Sequence, residues 1–158
     1  MESTKKTIIV FSGDLDKALA AFIIANGAAA MGDEVTMFFT FWGLNILRRQ
    51  DAPSHQKGFL QGMFGGMMPR GSTRLGLSKM NFGGMGAGMM RKVMRQEHVA
   101  SLEELIQIAR DQGVKMIACT MSMDVLGFRE DELIDGLEFA GVATYLGEAD
   151  EANVNLFI

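Results

Sequence analysis

The 158-residue chain predicts a single three-layer α/β domain, helices packed on both faces of a mostly parallel sheet. Three observations predict it. Residues 6–40 read strand, helix, strand, a βαβ unit whose crossover should be right-handed. Residues 114–118 (V-K-M-I-A) form an apolar run without alternation, the pattern of a strand buried on both faces. Ser101-Leu102-Glu103-Glu104 just before that run is a capping box, which starts a helix leading into the strand.

Each element follows in order. Residues 6–11 (K-T-I-I-V-F) are β-branched and short, a first strand. Ser12-Gly13-Asp14 is a tight turn, with Ser12 or Asp14 able to cap the next helix. Leu15, Leu19, Phe22, Ile23 and Ala30 recur at helical spacing up to Met31, and Gly32 is a natural stop. Residues 34–40 (E-V-T-M-F-F-T) are the second strand. Phe41-Trp42-Gly43-Leu44 follows, and residues 45–50 predict one or two helical turns. After the capping box, Leu102, Leu105, Ile106 and Ala109 give a buried stripe that Gly113 ends. Beyond the 114–118 strand, Thr120 or Ser122 is an N-cap for a short helical turn before Gly127. Residues 129–135 predict an acidic-faced helix closed by Gly136. Residues 141–146 (G-V-A-T-Y-L) predict another strand, and the tail at 153–158 a short edge strand.

Composition sets residues 51–97 apart as an insert. Between Asp51 and Glu97 no acidic residue occurs, while Lys57, Arg70, Arg74, Lys79, Arg91, Lys92 and Arg95 all do. The chain as a whole has a net charge of −4, so the rest is strongly acidic. The same stretch holds eight of fourteen methionines and ten of nineteen glycines. Glycine weakens helices by about 1 kcal/mol per site, which predicts mobility and several breaks there. With no core strand in it, the insert is expected to be removable without unfolding the sheet.

Chemistry points to Cys119, the chain's only cysteine, where the 114–118 strand stops and a helical turn begins. Backbone N–H groups and the positive dipole end at such a place favour an anion, and a thiolate is one. Parallel strands share a carboxyl edge. Ser12, Gly13, Asp14, Trp42 and Thr120 should therefore gather near Cys119 on that edge, together with Leu146 and Gly147. The insert leaves from the same edge and re-enters through His98, so it should lie over the thiol as a lid or dock.

Several classes are excluded or disfavoured. A net charge of −4 gives no reason to expect nucleic acid. The Ser12-Gly13-Asp14 turn lacks the spaced glycines of a dinucleotide loop, and Asp14 would repel phosphate. No organic cofactor is expected, and no metal either, because M-x-x-M spacing arises by chance among fourteen methionines. No run of about 18 apolar residues exists, and the insert lacks a clean polar face, so membrane contact is not expected. A lone cysteine and no secretory-type opening segment predict a cytoplasmic protein. The methionines and phenylalanines of the insert predict a homo-oligomer, since their exposure would exceed the apolar patch usual on a monomer.

Stretches along nearly the whole chain carry a resemblance. They are S-G-D-L-D-K-A (12–18), F-F-T-F-W-G-L (38–44), M-P-R-G (68–71), L-S-K-M-N (77–81), A-C-T-M-S-M-D (118–124) and G-V-A-T-Y-L-G (141–147). In these the chain resembles the DsrE/DsrF-like sulfur-relay proteins, notably the subgroup with a methionine-rich insert, loosely called DsrE-like or peroxiredoxin-like. The resemblance implies a flavodoxin- or Rossmann-like parallel sheet and a cysteine that carries a persulfide within an oligomer. Only Cys119 carries over as that residue. With no second cysteine to resolve a disulfide, thiol peroxidase chemistry is disfavoured.

The leading expectation is therefore a sulfur carrier or sulfurtransferase. Cys119 would hold a persulfide between a donor and an acceptor, with Thr120 and Ser122 stabilising the anion and Ser12, Gly13, Asp14, Trp42 and His98 shaping its pocket. Sulfur donor and acceptor proteins, or a small-molecule persulfide, would be the partners. The alternative is a non-enzymatic oligomeric binding or scaffold module that docks partners on the methionine-rich surface.

Overall fold

Strand β1 (Lys5–Val10) and helix α1 (Leu15–Ala30) lead to β2 (Glu34–Phe39), as their periodicity predicts. The computed structural model describes residues 3–53 and 55–158. Met1 and Glu2, at the start of the predicted domain, and Ser54, inside the predicted insert, lie outside the described residues. A 3-10 segment (Phe41–Leu47) follows β2, then α2 (Phe59–Met67), α3 (Met85–Gln96), α4 (Leu102–Asp111) and β3 (Lys115–Cys119). The chain closes with α5 (Thr120–Leu126), β4 (Glu138–Ala140), α6 (Val142–Asp150) and β5 (Val154–Phe157).

All five strands are parallel, in the order β4-β3-β2-β1-β5. β2 is buried along its length after Glu34, and β3 after Lys115, as their unbroken apolar runs require. The tail forms β5 at the edge beside β1. Successive steps from β1 to β4 go one way across the sheet, and the return to β5 goes the other way. Connections on opposite faces keep both directions right-handed.

The two faces are filled unequally. Ile8, Val10, Met37, Phe39, Met116 and Ala118 point to the main core, where Leu15, Ala18, Phe22 and Ala25 of α1 and Leu102, Leu105 and Ala109 of α4 close over them. Asn26 Nδ2 donates to Leu105 O (2.9 Å) and ties the two helices. The opposite face holds a smaller cluster of Phe38, Ile117, Cys119 and Tyr145, and Tyr145 comes from α6. The capping box at Ser101 forms as expected: Ser101 Oγ accepts from Glu104 N–H (3.2 Å), and a Glu104 carboxylate oxygen accepts from Ser101 N–H (2.7 Å).

Two predicted elements are corrected. Residues 129–135 are not a helix; only Glu130–Glu132 forms a 3-10 turn. The cause is tertiary. Glu132 is buried and accepts from Lys57 Nζ (2.6 Å) and Arg129 N–H (2.7 Å). Burial alone would push the Glu132 carboxyl up, but those two donors and the Lys57 charge outweigh it and hold the group below its ordinary value. Residues 141–146 are not a strand but the first part of α6, and the strand is β4, just before them. Val142, Tyr145, Leu146 and Ala149 have helical spacing, and Tyr145 and Ala149 are the ones that meet the sheet.

The insert is more ordered than its glycine content predicts. It builds α2 and α3 joined by 3-10 turns at Ser72–Arg74 and Phe82–Gly84. Leu75 and Ala87 sit in the main core at 1 % exposure each, with Met68, Leu77 and Met94 packed against it. Leu15 N–H at the start of α1 donates to Gly76 O (2.7 Å). The expectation that this segment can be removed without harm to the sheet is not what this packing supports. No helix of the described residues is long and apolar enough to cross a membrane.

Candidate functional site

Cys119 ends β3 and is the residue immediately before α5, with extended backbone at its own position. That much matches the sequence. Neither Thr120 nor Ser122 is the cap, however. Thr120 is the first residue of α5, and Ser122 is fully buried one turn in. Ser122 Oγ and Thr40 Oγ1 share a hydrogen bond of 2.8 Å, which joins α5 to the carboxyl end of β2. These hydroxyls fix the backbone around the thiol, and no side chain caps α5.

The thiol itself is covered. Cys119 is 3 % exposed and belongs to the cluster of Phe38, Ile117 and Tyr145, with Ile9, Ala140 and Ala149 against it. Ala140 of β4 lies beside it in register. Tyr145 stacks on Phe38 with ring centroids 5.2 Å apart. Its hydroxyl is 3.0 Å from Thr7 Oγ1, which in turn donates to Asn155 Oδ1 at 2.6 Å. Thr7 has one hydroxyl hydrogen and gives it to Asn155, so Tyr145 O–H is the donor to Thr7. Asn155 Nδ2 completes the loop by donating to Ala149 O (3.1 Å). This network pins α6 onto the sheet, on the face that holds Cys119.

The remaining predicted site residues divide. Ser12, Gly13 and Asp14 do form the turn at the carboxyl end of β1. Ser12 Oγ accepts from Asp14 N–H and donates to Asp14 Oδ2, both at 3.1 Å. Gly13 and Trp42 are brought together so closely that a Cβ at Gly13 would stand 2.6 Å from Trp42 O. Gly43, next to Trp42, approaches Val10 O just as tightly, so only glycine fits there. Trp42 itself is 42 % exposed, near Phe41 and Phe11, whose rings lie 5.7 Å apart. Phe157 stacks on Phe11 at 5.6 Å. An aromatic rim thus marks this part of the sheet's carboxyl edge. Leu146 and Gly147, expected on that edge, lie inside α6.

His98 is not among the side chains around Cys119. It is exposed, takes a positive φ of 57°, and lines a shallow hollow with Arg95, Val99, Ala100, Glu104, Gln107 and Ile108. None of the cluster around the cysteine lines that hollow. Among the described residues, the insert approaches the site through α2, which packs on α5, where Gln61 Nε2 donates to Asp124 O (2.9 Å).

Sequence reasoning missed Tyr145, Phe38, Thr7 and the rim. Tyr145 carried a signal, its i,i+4 pairing with Ala149, which was masked by reading 141–146 as a strand. Chemically, the arrangement offers one thiol sulfur at a helix start, buried among Phe38, Ile117 and Tyr145.

Comparison with known proteins agrees with this architecture. The chain is 58 % identical over 158 residues to the uncharacterized protein YrkE of Bacillus subtilis, covering 99 % of each chain. It is 41 % identical over 162 residues to the sulfur carrier protein DsrE2 of Allochromatium vinosum, covering 100 % of each. Among solved structures it is similar to the protein of unknown function MTH1491 from Methanobacterium thermoautotrophicum (TM-score 0.59, 13 % identity, 99 % and 100 % coverage). It is also similar to the ychN protein from E. coli (TM-score 0.55, 13 % identity, 98 % and 99 % coverage). At that identity these two support the fold alone. The sequence model of the DsrE/DsrF/DrsH-like family matches residues 2–157, and the chain belongs to that family.

Proposed function

We propose that this protein is a sulfur carrier or sulfurtransferase of a sulfur relay, with Cys119 as the residue that holds the sulfur. The observation that carries the reading is the placement of the only cysteine at the β3–α5 junction, in a chain 41 % identical to a protein named a sulfur carrier. Cys119 thiolate attacks the outer sulfur of a donor persulfide. A bond forms between Cys119 Sγ and that sulfur, the donor's S–S bond breaks, and the donor leaves as its thiolate. In the second half an acceptor thiolate attacks the same outer sulfur and Cys119 leaves as thiolate. No net oxidation occurs, so a single cysteine suffices. The donor is a protein or small-molecule persulfide and the acceptor a thiol, in a reducing cytoplasm. Incubation with a persulfide donor followed by intact-mass measurement tests this. A gain of one sulfur atom is expected in the wild type and none in Cys119→Ser. Equal gains in both proteins would remove Cys119 from the role.

Burial makes α6 the gate in this reading, in place of the insert. Replacing Tyr145 by alanine should speed native-state iodoacetamide labelling of Cys119 by roughly tenfold or more, because the covering ring is gone. Tyr145→Phe keeps the ring and should label nearly as slowly as wild type. Equal rates in all three proteins would show that α6 does not control access.

One observation favours the second reading, an oligomeric binding module. Phe59, Leu60 and Met67 of α2 and Met85 and Met89 of α3 are exposed, Phe59 at 84 %. Such a surface suits a second copy of the chain or a relay partner, and methionine adapts to either. The two readings are compatible, since a carrier must dock its donor.

A further inference from the structure

The insert contains a cavity that the sulfur chemistry does not use. It has a volume of about 760 Å³ and lies among the end of α2, the turns after it and the start of α3. Arg70, Arg74 and Arg91 line it, with the neutral side chains of Gln50, Thr73 and Asn81, and no carboxylate does. We propose that this cavity binds a small anion bearing two or more negative charges on tetrahedral oxyanion groups, either a phosphate compound or a sulfur oxyanion.

Charge is the main reason. Among the described residues, every ion pair uses Lys5, Lys6, Lys17, Arg49, His55, Lys57 or Lys115. Arg70, Arg74 and Arg91 have no carboxylate partner there, although the chain carries a surplus of acidic residues. Three guanidinium groups facing one cavity repel one another, and an anion between them removes that cost. Arginine also offers paired donors that match two oxygens of a tetrahedral group.

Preorganisation is the second reason. Arg91 Nη2 donates to Ser72 O (3.3 Å) and Leu75 O (2.9 Å), so its guanidinium is held at the wall, and among the described residues its other N–H groups have no partner. Gly66, Gly83, Gly84 and Ala87 make other parts of the wall. Gly83 and Gly84 both take positive φ, 68° and 104°, and a Cβ at either would have no neighbour within 4 Å, so the wall is open there. They directly precede α3, whose Ala87 and Arg91 continue the same wall.

Calorimetric titration of the full chain at low ionic strength, with pyrophosphate and separately with thiosulfate, tests the proposal. Saturable one-to-one binding of at least one of them is expected. Preference for pyrophosphate identifies a phosphate ligand, and preference for thiosulfate a sulfur oxyanion. The double variant Arg70→Gln/Arg74→Gln should weaken binding by roughly tenfold or more, the scale of lost charge-assisted hydrogen bonds. Lys79→Gln/Lys92→Gln changes the net charge equally but lies outside the cavity, and should weaken it less than about threefold. Cys119→Ser should bind as wild type, which separates this site from the fate of the relay reading. No saturable binding of either anion, or equal weakening by the two double variants, would overturn the site.

Discussion

Arg48→Ala is expected to lower the unfolding free energy by about 3 kcal/mol, the scale for leaving several buried acceptors without their charged donor. Arg48 is 5 % exposed. Its Nη1 donates to Met68 O (3.3 Å) and Pro69 O (3.2 Å), and its Nη2 to Gly65 O (3.2 Å). The guanidinium also lies 4.6 Å over the Phe128 ring. Burial draws its pKa down, the Arg70 charge adds to that, and Glu132 opposes it. The carbonyls and the ring therefore act in place of a paired carboxylate. Alanine leaves three carbonyl oxygens without a donor and empties the space between α2 and Phe128. Lysine is no rescue, because one ammonium cannot span three carbonyls and also lie flat on a ring. Urea midpoints should fall for both variants, and protease should cut α2 first. A loss below about 1 kcal/mol for Arg48→Ala would show that the end of α2 is held by something else.

This arginine illustrates what the sequence hides. Nothing in the spacing of Arg48, Lys57 and Glu132 along the chain reveals that they meet. What was legible rests on local periodicity and caps. β1, α1, β2, α4 and β3 each combine a pattern of period 2 or 3.6, or a continuous apolar run, with a clear stop, and the structure has them within a residue or so of the predicted bounds. The errors fall where tertiary contacts decide. β4 is three residues long, too short for a pattern, and exists because Ala140 pairs with Cys119. The β-branched run after it took the strand reading that β4 should have had. That slip reached the surroundings of Cys119: Tyr145, which shares its buried cluster, is expected on a strand and lies on α6. Gly13 and Trp42 do meet, since carboxyl ends of parallel strands share an edge, but neither belongs to the buried cluster around Cys119. His98 was grouped by the same logic, and it failed because the edge has two faces.

Excising residues 58–94 with a short Gly/Ser bridge is expected to abolish the cooperative unfolding transition. The segment contains no strand, so hydrogen bonds of the sheet survive on paper. Its side chains decide the outcome. Leu75 is a fully buried member of the main core, and truncating a buried leucine to alanine costs about 2–5 kcal/mol. Ala87, Met68, Leu77 and Met94 leave with it and open the α1–α4 side of the core to water. The first turn of α1 also loses Gly76 O as partner of Leu15 N–H and the Ser78 backbone donor to Asp16 Oδ1 (2.8 Å). Arg48 also loses its three carbonyl partners and the α2 contacts that cover it. Together these losses match or exceed the roughly 5–15 kcal/mol that holds a domain of this kind folded. Near-ultraviolet circular dichroism and a urea titration of the excised protein check this, with Leu75→Ala as a milder companion expected to lose about 3 kcal/mol. A sharp transition near the wild-type midpoint would mean that the sheet and its two helices fold without the insert. In that case α2 and α3 would be free to swing as a unit over the carboxyl edge. If the transition is lost, movement near Cys119 is confined to smaller pieces, and the exposed outer faces of α2 and α3 are surfaces carried by a rigid core.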